Sequence, residues 1–429
     1  MPATSSEQTQ PAAQHQAAMV DTLLKYRAIR TTRVEEAMRS VPRHVFIPEA
    51  PLADAYQPTR PYVTKTDAAG RSISSASAPS VVAGQLEEAD PRPGQHILEI
   101  GSGTGYNAAL LAHLVGPTGR VTTIEYDPDT AQRARTALPA AGFDTVQVIT
   151  GDGALGHPAG APYDTILVTA GAWDIPAAWR EQLAPEGRLI VPADLPWPTS
   201  LTLQHSPAGD GVLHALAYQT CGFIAMEGST AHPRRIVSAG HGAIRLVAED
   251  RAALDEDALA DVLDHAGHTA FTGAVVGDGP SYDHLFWWLT DRLPGFCKAV
   301  MTPERVADGT FAPLNGWGAP AVHDRASLAY LTNRRGMGDA AGNPFELGVR
   351  GHGPTGAALA EHVAEVIAAW QAGPRAQTMP HIQVHPRPAD TAAAGAAADI
   401  PAAGTVIERP SCRITIGWQP ADPQDPRQS

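Results

Sequence analysis

The sequence predicts an α/β fold: a doubly wound, Rossmann-like domain followed by an additional C-terminal α+β domain. Three stretches carry the first part of that prediction. Residues 96–106 read His-Ile-Leu-Glu-Ile-Gly-Ser-Gly-Thr-Gly-Tyr, an apolar run that ends on alternating glycines at 101, 103 and 105. Ala108, Leu111, Ala112 and Val115 then recur at helical spacing, so the unit is strand, glycine turn, helix. Val121-Thr122-Thr123-Ile124-Glu125 is a β-branched strand closing on a carboxylate ~20 residues beyond the turn, where doubly wound folds hold a ribose diol. Val146-Gln147-Val148-Ile149 leads into Thr150-Gly151-Asp152-Gly153, a third strand with a carboxylate at its end.

Glycines at such a bend let the backbone approach a ligand closely, and the free N–H groups of the helix start favour negative charge. A dinucleotide fingerprint would read G-x-G-x-x-G. Here the pattern is G-x-G-x-G, Tyr106 follows Gly105, and Glu99 precedes the glycines on the strand. That arrangement reads as an S-adenosylmethionine site. Gly101, Gly103 and Gly105 take the methionine end, Glu99 accepts from its ammonium, Glu125 holds the ribose, and Asp152 beside Gly153 accepts from the adenine amino group. Each carboxylate alone is equally a solvated turn residue. Three of them closing successive strands make the pattern.

At 429 residues the chain predicts two domains. The expected division is a disordered tail over 1–17, the cofactor domain over 18–228, and a second domain over 229–429 with a flexible Ala/Gly/Pro segment at 389–404. A net charge of −14 argues against nucleic acid and anionic membrane as partners, because phosphates would be repelled. No apolar run reaches the ~18 residues of a membrane span, and no basic-then-apolar leader opens the chain; a cytoplasmic location is expected. Cys221, Cys297 and Cys412 show no C-x-x-C, and the 17 histidines show no H-E-x-x-H, so no metal is expected.

Val20, Leu23, Leu24 and Ala28 repeat at helical spacing, and a second helix begins at Thr32, three before Glu35 in a capping-box pattern. Two prolines stop it at Val41-Pro42-Arg43-His44-Val45-Phe46-Ile47-Pro48. An irregular stretch leads to the serine cluster at 72–77, and Pro79, at a first helical turn, places Ser77 at a helix entrance. Further strands are expected at 201–203 and around 221–226. In the second domain the expected pieces are a strand at 244–247, an acidic helix at 255–265, an aromatic helix at 282–293 and a mobile glycine-rich connector at 335–356. A helix on the Leu359, Val363, Val366, Ile367 and Trp370 stripe and strands at 381–384 and 412–418 complete it. Phe286, Trp287 and Trp288 spread around that aromatic helix, so some are expected to stay exposed and to grip a substrate.

From about 20 to 227 the chain resembles the protein-L-isoaspartate O-methyltransferase family. The resemblance rests on Val41-Pro42-Arg43 with Phe46-Ile47-Pro48, Ser77-Ala78-Pro79, the loop from Glu99 to Tyr106, Gly151-Asp152-Gly153, Val168-Thr169-Ala170-Gly171-Ala172 with Ile175-Pro176, and Leu183-Ala184-Pro185-Glu186-Gly187. It implies transfer of a methyl group to an aspartyl or isoaspartyl carboxylate of a peptide or protein, with Ser77 as the catalytic hydroxyl and Ser75, Ser77, Ala78, Thr169 and Ala170 at the acceptor. A carboxylate with an ordinary pKa near ~4 is ionised at neutral pH, so no general base is required. The chain departs from the family where Ser75-Ala76 replaces Thr-Ile, removing bulk, and where Phe223-Ile224-Ala225-Met226 replaces a Phe-Val-Pro ending. The extension beyond 229, absent from an ordinary repair enzyme of the family, resembles the branch associated with lanthipeptide-type ribosomal peptides, the FxLD methyltransferases. In that branch the methyl ester of a chosen aspartate would close to a succinimide and open to isoaspartate; the alternative is general repair of isoaspartyl sites in damaged proteins.

Overall fold

A computed structural model of the chain describes residues 6–68, 70–232, 235–248, 254–277, 284–314, 318–335, 344–373, 377–387 and 404–420. It opens with three helices, α1 (Ser6–Lys25), α2 (Thr32–Ser40) and α3 (Leu52–Ala55). The disordered tail expected over 1–17 is corrected from residue 6 onward, and 1–5 lie outside the described residues. What orders this polar segment is tertiary: Ala12 and Met19 are buried, and the Gln16 amide donates to the Met38, Arg39 and Val41 carbonyls at the end of α2. The α2 cap is Thr31, not Thr32; its hydroxyl accepts from Val34 N.

The serine cluster is a strand rather than a loop, pairing β1 (Tyr62–Thr66) with β2 (Ser72–Ala76) in an antiparallel hairpin. After α4 (Pro79–Ala89) come β3 (His96–Ile100), α5 (Tyr106–Val115), β4 (Arg120–Glu125), α6 (Pro128–Ala140), β5 (Gln147–Thr150), β6 (Tyr163–Val168) and α7 (Ala177–Gln182). Three antiparallel strands follow, β7 (Leu183–Ala193), β8 (Thr199–His205) and β9 (Leu213–Thr220). The strand expected at 221–226 is displaced: β9 ends before Cys221, and Ala225 makes only an isolated bridge to Gly171.

The remainder contains β10 (Arg235–Ala239), β11 (Ile244–Ala248), α8 (Glu256–Ala260), β12 (His268–Val276), α9 (His284–Arg292), β13 (Phe296–Met301), α10 (Pro303–Ala307), β14 (Ala319–Asp324), β15 (Ser327–Arg335), β16 (Phe345–His352), α11 (Gly356–Ala372), β17 (Thr378–Pro386), β18 (Thr405–Glu408) and β19 (Cys412–Pro420). Of the expected connector at 335–356, β16 occupies Phe345–His352, and 336–343 lie outside the described residues, as do 389–403 of the expected flexible segment.

These strands sort into two large sheets, and not at 228/229. One has ten strands in the order β18-β19-β17-β9-β8-β7-β6-β3-β4-β5; the other has seven in the order β10-β11-β13-β14-β15-β16-β12. The chain leaves the first sheet after β9, builds the second, and returns with β17, which pairs with β9 at Gln383↔His214 and Val384↔Leu213. The expected division is corrected accordingly: the C-terminal strands complete the cofactor sheet. Hydrophobic pairing decides this, since Ile382, Val384, Ile414 and Ile416 are buried in one core with Leu189, Val191, Leu201 and Leu203.

The β3–β7 strands run parallel, with α4, α5 and α6 on the face that carries Ile97, Val121 and Leu167. The opposite face, with Leu98, Ile100 and Ile166, packs against Trp179 of α7 and Trp287 of α9. Phe286 and Trp288 of the same helix enter the core of the second sheet with α11. Exposure of these aromatics is the expectation overturned: Phe286, Trp287 and Trp288 are 3%, 2% and 8% exposed. They surround the helix because the helix fills two cores. Among the described residues no helix is long and apolar enough to cross a membrane.

Candidate cofactor and acceptor site

A cleft of about 1900 Å³ opens where β3, β4, β5 and β6 end. The glycine turn forms its floor. Gly101 N and Ser102 N both donate to Ile124 O, at 2.8 and 3.1 Å, tying the turn to β4. Gly101 has φ +98°, and a Cβ there would lie 2.6 Å from Thr169 Oγ1, so only glycine fits. Gly105, at φ +90°, starts α5. Gly101, Gly103 and Gly153 line the cleft.

Glu125 closes β4 and lines the cleft. Its Oε2 accepts from Gly103 N at 2.9 Å and its Oε1 from Asp127 N at 3.2 Å, which fixes the carboxylate while each oxygen keeps a further lone pair. Burial raises its pKa against those two hydrogen bonds. Next to it Tyr126 is 49% exposed and also lines the cleft, a flat ring beside Glu125 that the sequence motifs do not single out.

One of the expected cofactor carboxylates, Glu99, is turned away from the cleft. Glu99 is fully buried and is not among the cleft-lining residues; Oε1 accepts from Asn107 Nδ2 at 2.7 Å and Oε2 from Thr123 Oγ1 at 2.5 Å. It shares a strand face with Ile97 and therefore points beneath α5. Burial pushes its carboxyl up to about 7, opposed by the Thr123 and Asn107 bonds and assisted by the Glu125 charge. The expected contact with an ammonium is replaced by an internal brace. Asp152, half-buried beside the cleft-lining Gly153, is held in the same way as Glu125: Oδ1 accepts from Ala154 N at 2.9 Å and Oδ2 from Ser229 N at 2.8 Å. Burial works to raise its pKa, but the bonds from Ser229 and Ala154 prevail and hold it below the ordinary carboxylate range.

Ser75, Ser77, Ala78, Thr169 and Ala170, the five residues expected at the acceptor, all line the same cleft. Ser77 is not a helix cap: α4 is preceded by Ala78, and no side chain caps it. The Thr169 hydroxyl is already engaged, donating towards Gly101 O at 2.5 Å and Ile100 O at 3.0 Å. These two bonds pin the glycine turn. Arg43, unassigned from sequence, is 1% exposed and lines the cleft. Nε donates to Ala55 O at 2.7 Å, and Nη2 to Ala76 O at 3.1 Å and Ser77 O at 2.8 Å. The second wall comes from β9 and from Lys298, Gln371 and Met379, which lie beyond the family-like part of the chain.

The family model described as protein-L-isoaspartate(D-aspartate) O-methyltransferase matches residues 14–229. The protein-L-isoaspartate O-methyltransferase of Methanopyrus kandleri is 43% identical over 211 residues, 49% of this chain and 90% of that protein. Protein-L-isoaspartate O-methyltransferase 2 of Archaeoglobus fulgidus is 48% identical over 160 residues, 37% of this chain and 70% of that protein. A solved protein-L-isoaspartate O-methyltransferase aligns with 86% of this chain and 96% of its own at 21% identity and a TM-score of 0.47.

Proposed function

Because the chain belongs to the protein-L-isoaspartate O-methyltransferase family, we propose that it is an S-adenosylmethionine-dependent enzyme that esterifies an aspartyl or isoaspartyl carboxylate in a peptide. The observation that carries this reading is the convergence of the glycine turn, Glu125 and the Ser77-Ala78 turn on one cleft. Glu125 would hold the ribose diol, Tyr126 and Gly153 the adenine side, and the glycine turn the methionine end. The cofactor supplies an electrophilic methyl group on a sulfonium. The chain's own task is positioning. A carboxylate is ionised at neutral pH, so the Ser77 hydroxyl orients it rather than deprotonating it.

We infer further that the acceptor belongs to one dedicated ribosomal peptide of lanthipeptide type, whose aspartyl ester closes to succinimide and opens to isoaspartate. The wall formed by Lys298, Gln371 and Met379 supports this, because binding energy away from the reacting group is a route to selectivity. General repair of isoaspartyl sites is the second reading, favoured by relatives of that name at 43% and 48% identity. Incubation with labelled S-adenosylmethionine and either an aspartyl peptide encoded beside the enzyme or an unrelated isoaspartyl peptide decides between them. A gain of ~14 Da, or a loss of ~18 Da on closure, confined to the first supports the dedicated role. Equal methylation of unrelated isoaspartyl peptides supports repair, and transfer to neither overturns the enzyme's proposed chemistry.

A further inference from the structure

Among the described residues Arg43 is a buried charge without a counter-ion. Burial lowers its pKa, and the two groups that act on its charge are Tyr106 and Tyr56; no carboxylate is among them. The Tyr106 ring centroid lies 4.9 Å from Cζ, and Nη1 is buried with no hydrogen-bond partner among the described residues. A guanidinium stays protonated even here. Removing such a charge from water is costly, and apolar side chains of similar volume often serve stability as well or better. Stability alone therefore does not account for arginine at this position.

Its effect on the neighbouring backbone does. Arg43 Nη2 draws the carbonyls of Ala76 and Ser77 to one side. The cis peptide bond among the described residues is Ala161-Pro162, so the units joining 76 to 77 and 77 to 78 are trans. In a trans unit the N–H points opposite to its carbonyl. The N–H groups of Ser77 and Ala78 consequently face away from the guanidinium, and neither makes a hydrogen bond among the described residues. Both residues line the cleft at the start of the 11-residue helix α4. Two successive unbonded N–H groups at a helix N-terminus, beside a hydroxyl, make a concave receptor for an anion.

We propose that Arg43 is a positioning residue for the acceptor carboxylate: by holding the Ala76 and Ser77 carbonyls it turns the Ser77 and Ala78 N–H groups into a carboxylate receptor, and its uncompensated charge selects an ionised acceptor over a neutral one. The inference rests on the carboxyl-methyltransferase reading above and adds a residue to it. A substitution that keeps hydrogen-bond donors but not charge, Arg43→Gln, is expected to raise the KM for the acceptor peptide at least tenfold. The Kd for S-adenosylhomocysteine, read by calorimetry, should stay within twofold. Arg43→Lys, which restores the charge, should recover most of the lost KM.

An unchanged peptide KM in Arg43→Gln overturns the proposal, as does a parallel loss of peptide and S-adenosylhomocysteine affinity, the behaviour of a core residue. Should the variants fail to fold, the wild-type enzyme still provides the test through competition between matched peptides bearing a carboxylate or a carboxamide at the acceptor position. The carboxylate peptide should bind at least tenfold more tightly, and equal binding overturns the proposal. Failure of the underlying reading is seen separately, as a wild-type enzyme that transfers no methyl group to any carboxyl peptide.

Discussion

The two large sheets meet the same cleft in different ways. In the ten-stranded sheet, Ile100, Glu125, Gly153 and Thr169 reach the cleft at or just after the ends of β3, β4, β5 and β6. Parallel strands joined by helices bring their carboxyl ends to one edge, so each strand delivers a loop to the same place. The seven-stranded sheet is antiparallel throughout, sends no such set of loops among the described residues, and reaches the cleft through separate side chains such as Lys298 on β13. Parallel order makes a site out of short motifs; antiparallel order lends a wall whose residues are far apart in sequence.

The sharpest way to break this contrast is to cut the chain where the family-like segment ends. Ending it at 229 removes β17, β18 and β19 along with the second sheet, stripping Ile382, Val384, Ile414 and Ile416 from the first. At about 1.5–3 kcal/mol for each buried aliphatic side chain, this loss rivals the whole stability of a domain, ~5–15 kcal/mol. The truncated chain should show no cooperative melting. Excising 235–373 and rejoining the ends leaves all ten strands, loses Trp287 from that core, and should still melt cooperatively and bind cofactor. A cooperative 1–229 fragment would refute the shared-sheet account.

A smaller effect belongs to Glu99. Its folded pKa is raised from 4.5 to about 7 by burial, so between those values the native protein holds a proton that the unfolded chain has lost. Stability from this group is complete below 4.5 and declines as pH rises to about 7, by about 3 kcal/mol at most. Glu99→Gln should flatten that slope in denaturant titrations from pH 4.5 to 7.5. An unchanged slope would remove Glu99 as the buried titrating brace.

Glu125→Ala comes next. It removes a charge-assisted acceptor worth about 1.5–3 kcal/mol and should weaken S-adenosylmethionine binding roughly ten- to hundredfold while the protein stays folded. Calorimetry with unchanged affinity would exclude Glu125 from the ribose. Ser77→Ala is the mildest, removing a neutral hydroxyl of about 0.5–1.5 kcal/mol; turnover should fall up to roughly tenfold with cofactor affinity little altered. Wild-type turnover would leave orientation to the backbone alone.

What could be read in the sequence was local. The glycine turn, Glu125 at a strand end and Pro79 at a helix start each declare themselves within a few residues, and the structure places them so. Glu99 was misjudged although the alternation of β3 was available: Leu98 and Ile100 face one core and Ile97 the other, so Glu99 turns beneath α5 with Ile97. Arg43 and α1 were out of reach because their reasons lie far along the chain. Arg43 binds carbonyls at 55, 76 and 77, and Gln16 binds carbonyls at 38, 39 and 41. The aromatic crowding of α9 was visible, but a helix filling two cores and a helix displaying a binding face carry the same pattern.

The return of β17 and β19 also sets a timetable for synthesis. The nascent chain emerges amino end first, and β9 is made well before the strands that complete its side of the sheet. Until residue 420 has left the ribosome, Leu201 and Leu203 await Ile414 and Ile416, the aliphatic partners that share their core. Pairings this distant in sequence form slowly, so a stall or premature stop late in translation would release a chain with an open sheet edge, a ready template for aggregation.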